Sequence, residues 1–198
     1  MSKPKKATRE SEEILFNNLE EQEGVHFLDV KLDLFEKHGS GEAMQQVKRT
    51  TTLRGEMQAQ KTKLALVVNV ASKCGHTNRH YTEMVELHSM LRDKGFNIFA
   101  FPCNQFGSQE SKDADFVQNW AHDKYEVGFP MFEKVKVNGP SAHPIFAALK
   151  DQMGVANCKW NFDKFLLDHT GKAHFYGNAK EFKPLAMADL IKKLLKKL

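Results

Sequence analysis

The chain is poor in cysteine: Cys74, Cys103 and Cys158 are the only three among 198 residues. An odd number of thiols at wide spacing, with no Cys-x-x-Cys pair and no cysteine–histidine ladder, argues against a disulfide framework and a structural zinc site. No metal is expected. Long hydrophobic runs are also missing, since nothing approaches the roughly 20 apolar residues that cross a bilayer. The opening stretch, MSKPKKATRESEEILF, carries charge but no apolar centre, so it does not read as a secretory signal. These absences together predict a reducing, cytoplasmic setting. Charge of one sign is not dominant either. A formal net charge of +4 calls for no nucleic acid and allows weak attraction to anionic substrates or a membrane surface.

No internal repeat organises the sequence. Residues 1–23, dense in Lys, Arg and Glu, read as a charged and flexible N-terminal arm, and 24–198 as one domain. VHFLDVKLDL (25–34) alternates loosely and could begin a sheet. The stretch 36–63 is polar, is punctuated by Gly39, Gly41 and Gly55, and reads as mostly loop. From residue 64 the pattern sharpens. LALVVNV is almost continuously apolar, as a strand buried on both faces should be. Tyr81, Met84, Val85, Leu87 and Leu91 then recur at helical spacing up to a stop at Lys94-Gly95, and FNIFAF (96–101) is a second strand.

A second helix is expected after a cap at Ser111, with Phe116, Val117, Trp120 and Ala121 on one face, and a third from about Ala142 to Met153. FDKFLLDHTGKAHFYG (162–177) reads as a hairpin turning at DHTG. A last helix sets Leu190, Ile191, Leu194, Leu195 and Leu198 opposite four lysines. It either docks on the sheet or lies on a membrane surface, and docking is the reading preferred here. The order βαβ, helix, hairpin, helix is that of the thioredoxin fold, an α/β class with a central mixed sheet flanked by helices.

In that order NVASKCGHTN (69–78) places Cys74 between the first buried strand and the following helix. The free N–H groups of a helix N-terminus favour a thiolate, the nucleophilic form of cysteine, and Gly75 leaves room beside the sulfur. The alternative is a thiol packed as a small hydrophobe. The strand-to-helix position favours the reactive reading.

Four blocks, NVASKCGHTN, FPCNQFGSQE (101–110), FPMFEKVKVNG (129–139) and KWNFDKFLLD (159–168), resemble the glutathione peroxidase family in order and spacing. The resemblance covers roughly residues 64–198 and is weak near Phe27. It implies a thioredoxin fold and thiol-dependent reduction of hydrogen peroxide and organic or lipid hydroperoxides. The family's catalytic tetrad falls on Cys74, as the peroxidatic residue, with Gln109, Trp160 and Asn161. The two amides and the indole N–H are neutral donors suited to a thiolate and to a leaving alkoxide. No bound cofactor is implied, only a thiol co-substrate, glutathione or a thioredoxin-type protein.

The chain departs from the family in places. The resolving cysteine of many cysteine-based members is replaced by His122, and no cysteine lies between Cys103 and Cys158. In this respect it resembles the monomeric phospholipid-hydroperoxide branch. The short segment Ala148–Lys159, without the insertion of tetrameric members, likewise implies a monomer. GSQES stands where GGQEP is usual, and Phe175 stands where Arg is frequent. Lys159 is either a contact for glutathione carboxylates and phosphate headgroups or an exposed strand-end lysine. Cys158, two residues before Trp160, would share its face in an extended segment and could resolve Cys74. The expectation here is that Cys158 and Cys103 are both structural. A redox sensor passing oxidation from Cys74 to a partner protein is the competing function.

Overall fold

The computed structural model describes residues 26–38 and 45–198. The proposed arm at 1–23 lies outside them. A 3-10 turn at Phe27–Asp29 leads into strand β1 (Lys31–His38), which pairs antiparallel with β2 (Gln45–Thr52). Helix α1 (Leu53–Ala59) follows at once, its first turn capped by Thr52, whose hydroxyl accepts from the Gly55 N–H. Strand β3 (Leu64–Val70), helix α2 (Thr77–Leu91) and strand β4 (Phe96–Pro102) form the central unit, with β3 and β4 parallel. Helix α3 (Ala114–Tyr125), the short β5 (Met131–Phe132), helix α4 (Pro144–Gln152), strands β6 (Lys164–Asp168) and β7 (Ala173–Gly177), and helix α5 (Ala188–Leu195) complete the chain. The seven strands form one mixed sheet in the order β2-β1-β5-β4-β3-β6-β7.

Alternation along the strands divides the core in two. Leu64, Leu66, Val68 and Val70 of β3 point to one face, where Tyr81, Met84, Leu87 and Leu91 of α2, Val117 and Ala121 of α3 and Ile191 of α5 cover them. Ala65 and Val67 point to the other face, against Leu53 and Met57 of α1 and Ile145, Phe146 and Leu149 of α4. Every residue of β3 and β4 is buried, which is why both read as nearly continuous apolar runs, broken only by Asn69 and Asn97. Helix α2 ends through a 3-10 turn at Gly95, whose φ of 90° explains a glycine there. The residues Leu190, Leu194, Leu195 and Leu198 pack against the first cluster, so the final helix docks on the sheet.

Three expectations need correction. The stretch 36–63 is not mostly loop, since it holds β2 and α1. Strand β2 was hidden because it is an edge strand with Val47, Lys48, Arg49 and Thr50 all exposed, so no face is apolar. Its fixed point is polar instead: the guanidinium of Arg49 meets Glu56 at 2.6 Å, with the Thr51 hydroxyl at 2.7 Å from the same carboxylate oxygen. Helix α3 starts after Asp113, which takes the N-cap position in place of Ser111 without a side-chain capping bond, and Phe116 turns outward at 49% exposure while Val117 and Ala121 face the core. The segment before Asn161 is not extended, so Cys158 and Trp160 do not share a face: Cys158 is 2% exposed inside the second core cluster, and Trp160 is 40% exposed.

Candidate active site

Three segments meet where β3 and β4 end. The first is the turn 71–76. After Val70 the strand breaks, and Thr77, at the start of α2, ties the turn down: its hydroxyl donates to the Ala71 carbonyl at 2.7 Å and accepts from the Cys74 N–H at 3.1 Å. Cys74 is thereby held 8% exposed, with its sulfur accepting the His76 N–H at 3.5 Å. No side chain caps α2, so the N–H groups of its first turn are directed towards this end of the sheet. Gly75 is exposed, and a Cβ there would meet nothing within 4 Å beyond its chain neighbours, so the turn is unobstructed at the residue after Cys74.

The second segment, 103–110, leaves the end of β4. Gly107 and Ser108 both take left-handed backbone angles, φ 62° and 51°, and fold it back so that the Gln109 carbonyl accepts the Lys73 N–H at 3.1 Å. Glu110, fully buried, accepts the Ser72 N–H at 2.7 Å and the Ser72 hydroxyl at 2.8 Å, and its own N–H donates to the Asn104 side chain at 2.9 Å. Burial pushes the Glu110 carboxyl above the ordinary carboxylate value, with the Ser72 bonds and the charges of Lys134 and Lys73 opposing.

The third segment is 158–163. Asn69, the one polar residue of β3, holds it from beneath: its side-chain amide N–H donates to the Trp160 carbonyl at 3.1 Å, and its backbone carbonyl accepts the Phe162 N–H at 2.7 Å. Phe162 is wholly buried at φ 67°, a left-handed position unusual for an aromatic residue, and this bend carries Asn161 inward while Trp160 stays outside. Asp163 fixes the other side, accepting the Lys159 N–H and the Tyr176 hydroxyl, each at 2.6 Å.

The fold thus brings Asn161 to Gln109, with the Asn161 amide donating to the Gln109 side-chain oxygen at 2.9 Å and to the Phe106 carbonyl at 3.4 Å. Trp160 packs on Phe106 with ring centroids 5.8 Å apart. Gln109 is linked to the Cys74 turn through Lys73. No hydrogen bond joins the Cys74 sulfur directly to Gln109, Trp160 or Asn161; the donor it meets is the His76 backbone. Lys159 is exposed beside the tetrad segment.

Three basic side chains near the start of α2 are lowered from their ordinary values. His80, on α2 and stacked on Phe162 at 4.9 Å, is pushed down to about 3 by burial and by the charge of Lys164, so it is neutral at physiological pH. His76 is lowered as well, first by burial and then by the charges of Lys183 and Lys164. Lys164 is wholly buried, donates to the Phe182 carbonyl at 2.9 Å, and is brought down to about 7 by desolvation.

The other two thiols are differently placed. Cys103 and Cys158 lie in the second core cluster, whereas Cys74 packs into the first. All three are free. Burial, followed by the charge of Asp163, pushes Cys158 up to about 12, and burial raises Cys103. Sequence reading did not pick out Asn69, Thr77, Glu110 or Asp163. Asn69 had a signal, a lone amide inside an apolar strand. Glu110 had one too, as the neighbour of Gln109.

A family model, Glutathione peroxidase, matches residues 43–150. Among relatives, a probable phospholipid hydroperoxide glutathione peroxidase from Citrus sinensis is 45% identical over 138 residues, covering 68% of this chain and 82% of its own. Probable glutathione peroxidase 8 from Arabidopsis thaliana is 43% identical over 140 residues, covering 68% and 82%. Of solved structures, the crystal structure of Trgpx in apo form superimposes with a TM-score of 0.60 at 30% identity, covering 87% of this chain and 97% of that one. The thioredoxin-family thiol:disulfide interchange protein from Chlorobium tepidum TLS, 14% identical with a TM-score of 0.50 and covering 83% and 95%, shares the fold. The sequence blocks, the thioredoxin-type sheet and these relatives agree: the chain belongs to the glutathione peroxidase family.

Proposed function

We infer that this chain reduces hydroperoxides at Cys74 and is returned to its thiol form by an external thiol. The observation that carries the reading is the convergence of a nearly enclosed thiol, an unobstructed turn at Gly75 and the Gln109–Asn161 pair at one end of the sheet. The Cys74 thiolate attacks one peroxide oxygen. The O–O bond breaks, and the departing oxygen takes a proton and leaves as water or alcohol, so the sulfur becomes a sulfenic acid. A first external thiol condenses with it, releasing water and forming a mixed disulfide, and a second thiol releases Cys74 and takes the disulfide away. The His76 N–H supports negative charge on sulfur. Gln109, Trp160 and Asn161 supply the remaining neutral donors.

The substrate class follows from the surface. Trp160, exposed and backed by the buried Phe106, offers an aromatic surface on the segment that carries Asn161, and Lys73 and Lys159 are exposed on the neighbouring turns. An acyl chain fits the aromatic patch, and an anionic headgroup or a glutathione carboxylate fits Lys159. The Citrus sinensis relative is a probable phospholipid hydroperoxide glutathione peroxidase, which supports lipid hydroperoxides beside hydrogen peroxide.

Glutathione is the simplest reductant, because Cys158 is buried in the other core cluster and His122 stands where many relatives carry a resolving cysteine. We also propose a monomer that contacts membranes only weakly. Purified protein given hydroperoxide with glutathione, or with thioredoxin and its reductase, tests the reading. Repeated turnover with glutathione is expected. A single stoichiometric oxidation with either donor would overturn it in favour of a redox sensor.

A further inference from the structure

We propose that Glu110 is a positioning residue for the peroxidatic thiol, clamping Ser72 so that the turn bearing Cys74 stays in register with the loop bearing Gln109. The inference rests on the reading of Cys74 as the reacting thiol. Its geometric basis is a double rung between two segments 38 positions apart. One rung is backbone to backbone, Lys73 N–H to the Gln109 carbonyl at 3.1 Å. The other is Glu110, which spends one carboxylate oxygen on the Ser72 N–H and the other on the Ser72 hydroxyl. Ser72 is two residues from Cys74, and Glu110 adjoins Gln109. The clamp therefore sits directly behind both groups whose separation decides whether a peroxide can lie between them.

A carboxylate is a costly choice for this place. Glu110 is 0% exposed, and among the described residues no ion pair is seen to relieve it. Packing alone would be served better by an apolar side chain, whereas two simultaneous acceptors at fixed angles are what a carboxylate offers and an amide does not. The groups facing it are few. Lys73 and Lys134 bear on it electrostatically, Ser72 bonds it, and the buried Tyr81 hydroxyl of α2 feels its charge. Protonation of Glu110 would turn one acceptor into a donor and release one side of Ser72. Because burial raises its carboxyl above the ordinary value, the clamp should loosen on mild acidification rather than only in strong acid.

The test uses the full chain and its Glu110→Gln, Glu110→Ala and Ser72→Ala variants. Each is oxidised once by hydrogen peroxide over roughly pH 5 to 8, with Cys74 sulfenic acid trapped by dimedone and counted by mass spectrometry. Thermal unfolding is recorded in parallel. Glu110→Ala should slow oxidation by about 10²-fold, the scale of a small misplacement of reacting groups. Glu110→Gln should lose about tenfold, recovering part of the rate through its one accepting oxygen, and should lack the acid limb of the parent that belongs to the carboxyl group. Ser72→Ala should show the smallest loss.

Should Glu110→Ala fail to fold, Glu110→Gln and Ser72→Ala decide the matter. A folded Glu110→Gln with the parent's rate and the parent's pH profile overturns the proposal, as does a variant whose only change is a lower melting temperature. Cys74→Ser separates the two readings. If it still consumes peroxide, the catalytic assignment fails. If it is inactive while the Glu110 variants match the parent, only the clamp fails.

Discussion

Cys74 and Cys158 are both buried thiols at the margins of one sheet, and their surroundings give them opposite chemistry. Cys74 lies on a turn between a strand and a helix, with a backbone N–H on its sulfur and the exposed, unobstructed Gly75 next to it. Cys158 is sealed inside the second core cluster, which also holds Cys103, Phe146 and Phe165, with its backbone held at both ends by Asn138. Burial and the Asp163 charge push its thiol up to about 12. Burial alone therefore does not separate a working thiol from a packed one. What separates them is the presence of donors for the anion and a path for the oxidant.

The largest effect expected from this contrast is at the sulfur itself. Cys74→Ser should abolish peroxide consumption, while Cys158→Ala and Cys103→Ala should leave the oxidation rate unchanged and cost about 1 kcal/mol of stability each as small cavities. Peroxide electrode traces and urea unfolding of the three variants check this. Equal loss in Cys158→Ala would end the contrast.

Next come the neutral donors. Asn161→Ala and Gln109→Ala each remove one half of the contact at 2.9 Å and should slow sulfenic acid formation by about 10² to 10³. Their unfolding midpoints should move much less than their rates. An Asn161→Ala variant that reacts as fast as the parent would show that the pair only holds loops together.

Smaller effects follow from titration, and they sharpen the contrast at its two ends. His80 has a folded value lowered to about 3, so its contribution to stability is present above its ordinary value of about 6.5 and is lost as pH falls from there. His80→Gln should flatten the acid side of the stability curve measured by urea unfolding. Cys158 works in the opposite direction. Its folded value is raised, so its contribution is complete below the ordinary cysteine value of about 9 and is lost as pH climbs from there towards about 12. Cys158→Ala should flatten the alkaline side. Unchanged slopes in both variants would mean that neither group is held as described.

How much of this was legible beforehand depends on what kind of force holds each part. Strands β3 and β4 and helix α2 were readable because burial on a sheet face imposes a period on the sequence. Strand β2 and helix α1 were not, since β2 exposes Val47, Lys48, Arg49 and Thr50 and α1 buries little beyond Leu53 and Met57, being held also by the Arg49–Glu56 and Arg54–Asp29 pairs. Phe116 misled because hydrophobicity alone does not say which way a helix is rotated; α3 is turned by Val117 and Ala121 instead. At the site, the four tetrad positions came from local blocks. Asn69, Glu110 and Asp163 act through contacts between segments far apart in the chain, and such contacts leave no spacing to read. The same holds for Phe162, whose left-handed angle is set by the Asn69 bonds beneath it.

The account turns on one thiol reacting and an outside thiol resolving it. Peptide mapping after one equivalent of hydroperoxide, in the absence of added thiol, tests that directly. It should find sulfenic acid at Cys74, free thiols at Cys103 and Cys158, and no internal disulfide. A Cys74–Cys158 bond, or oxidation that begins at Cys158, would contradict it.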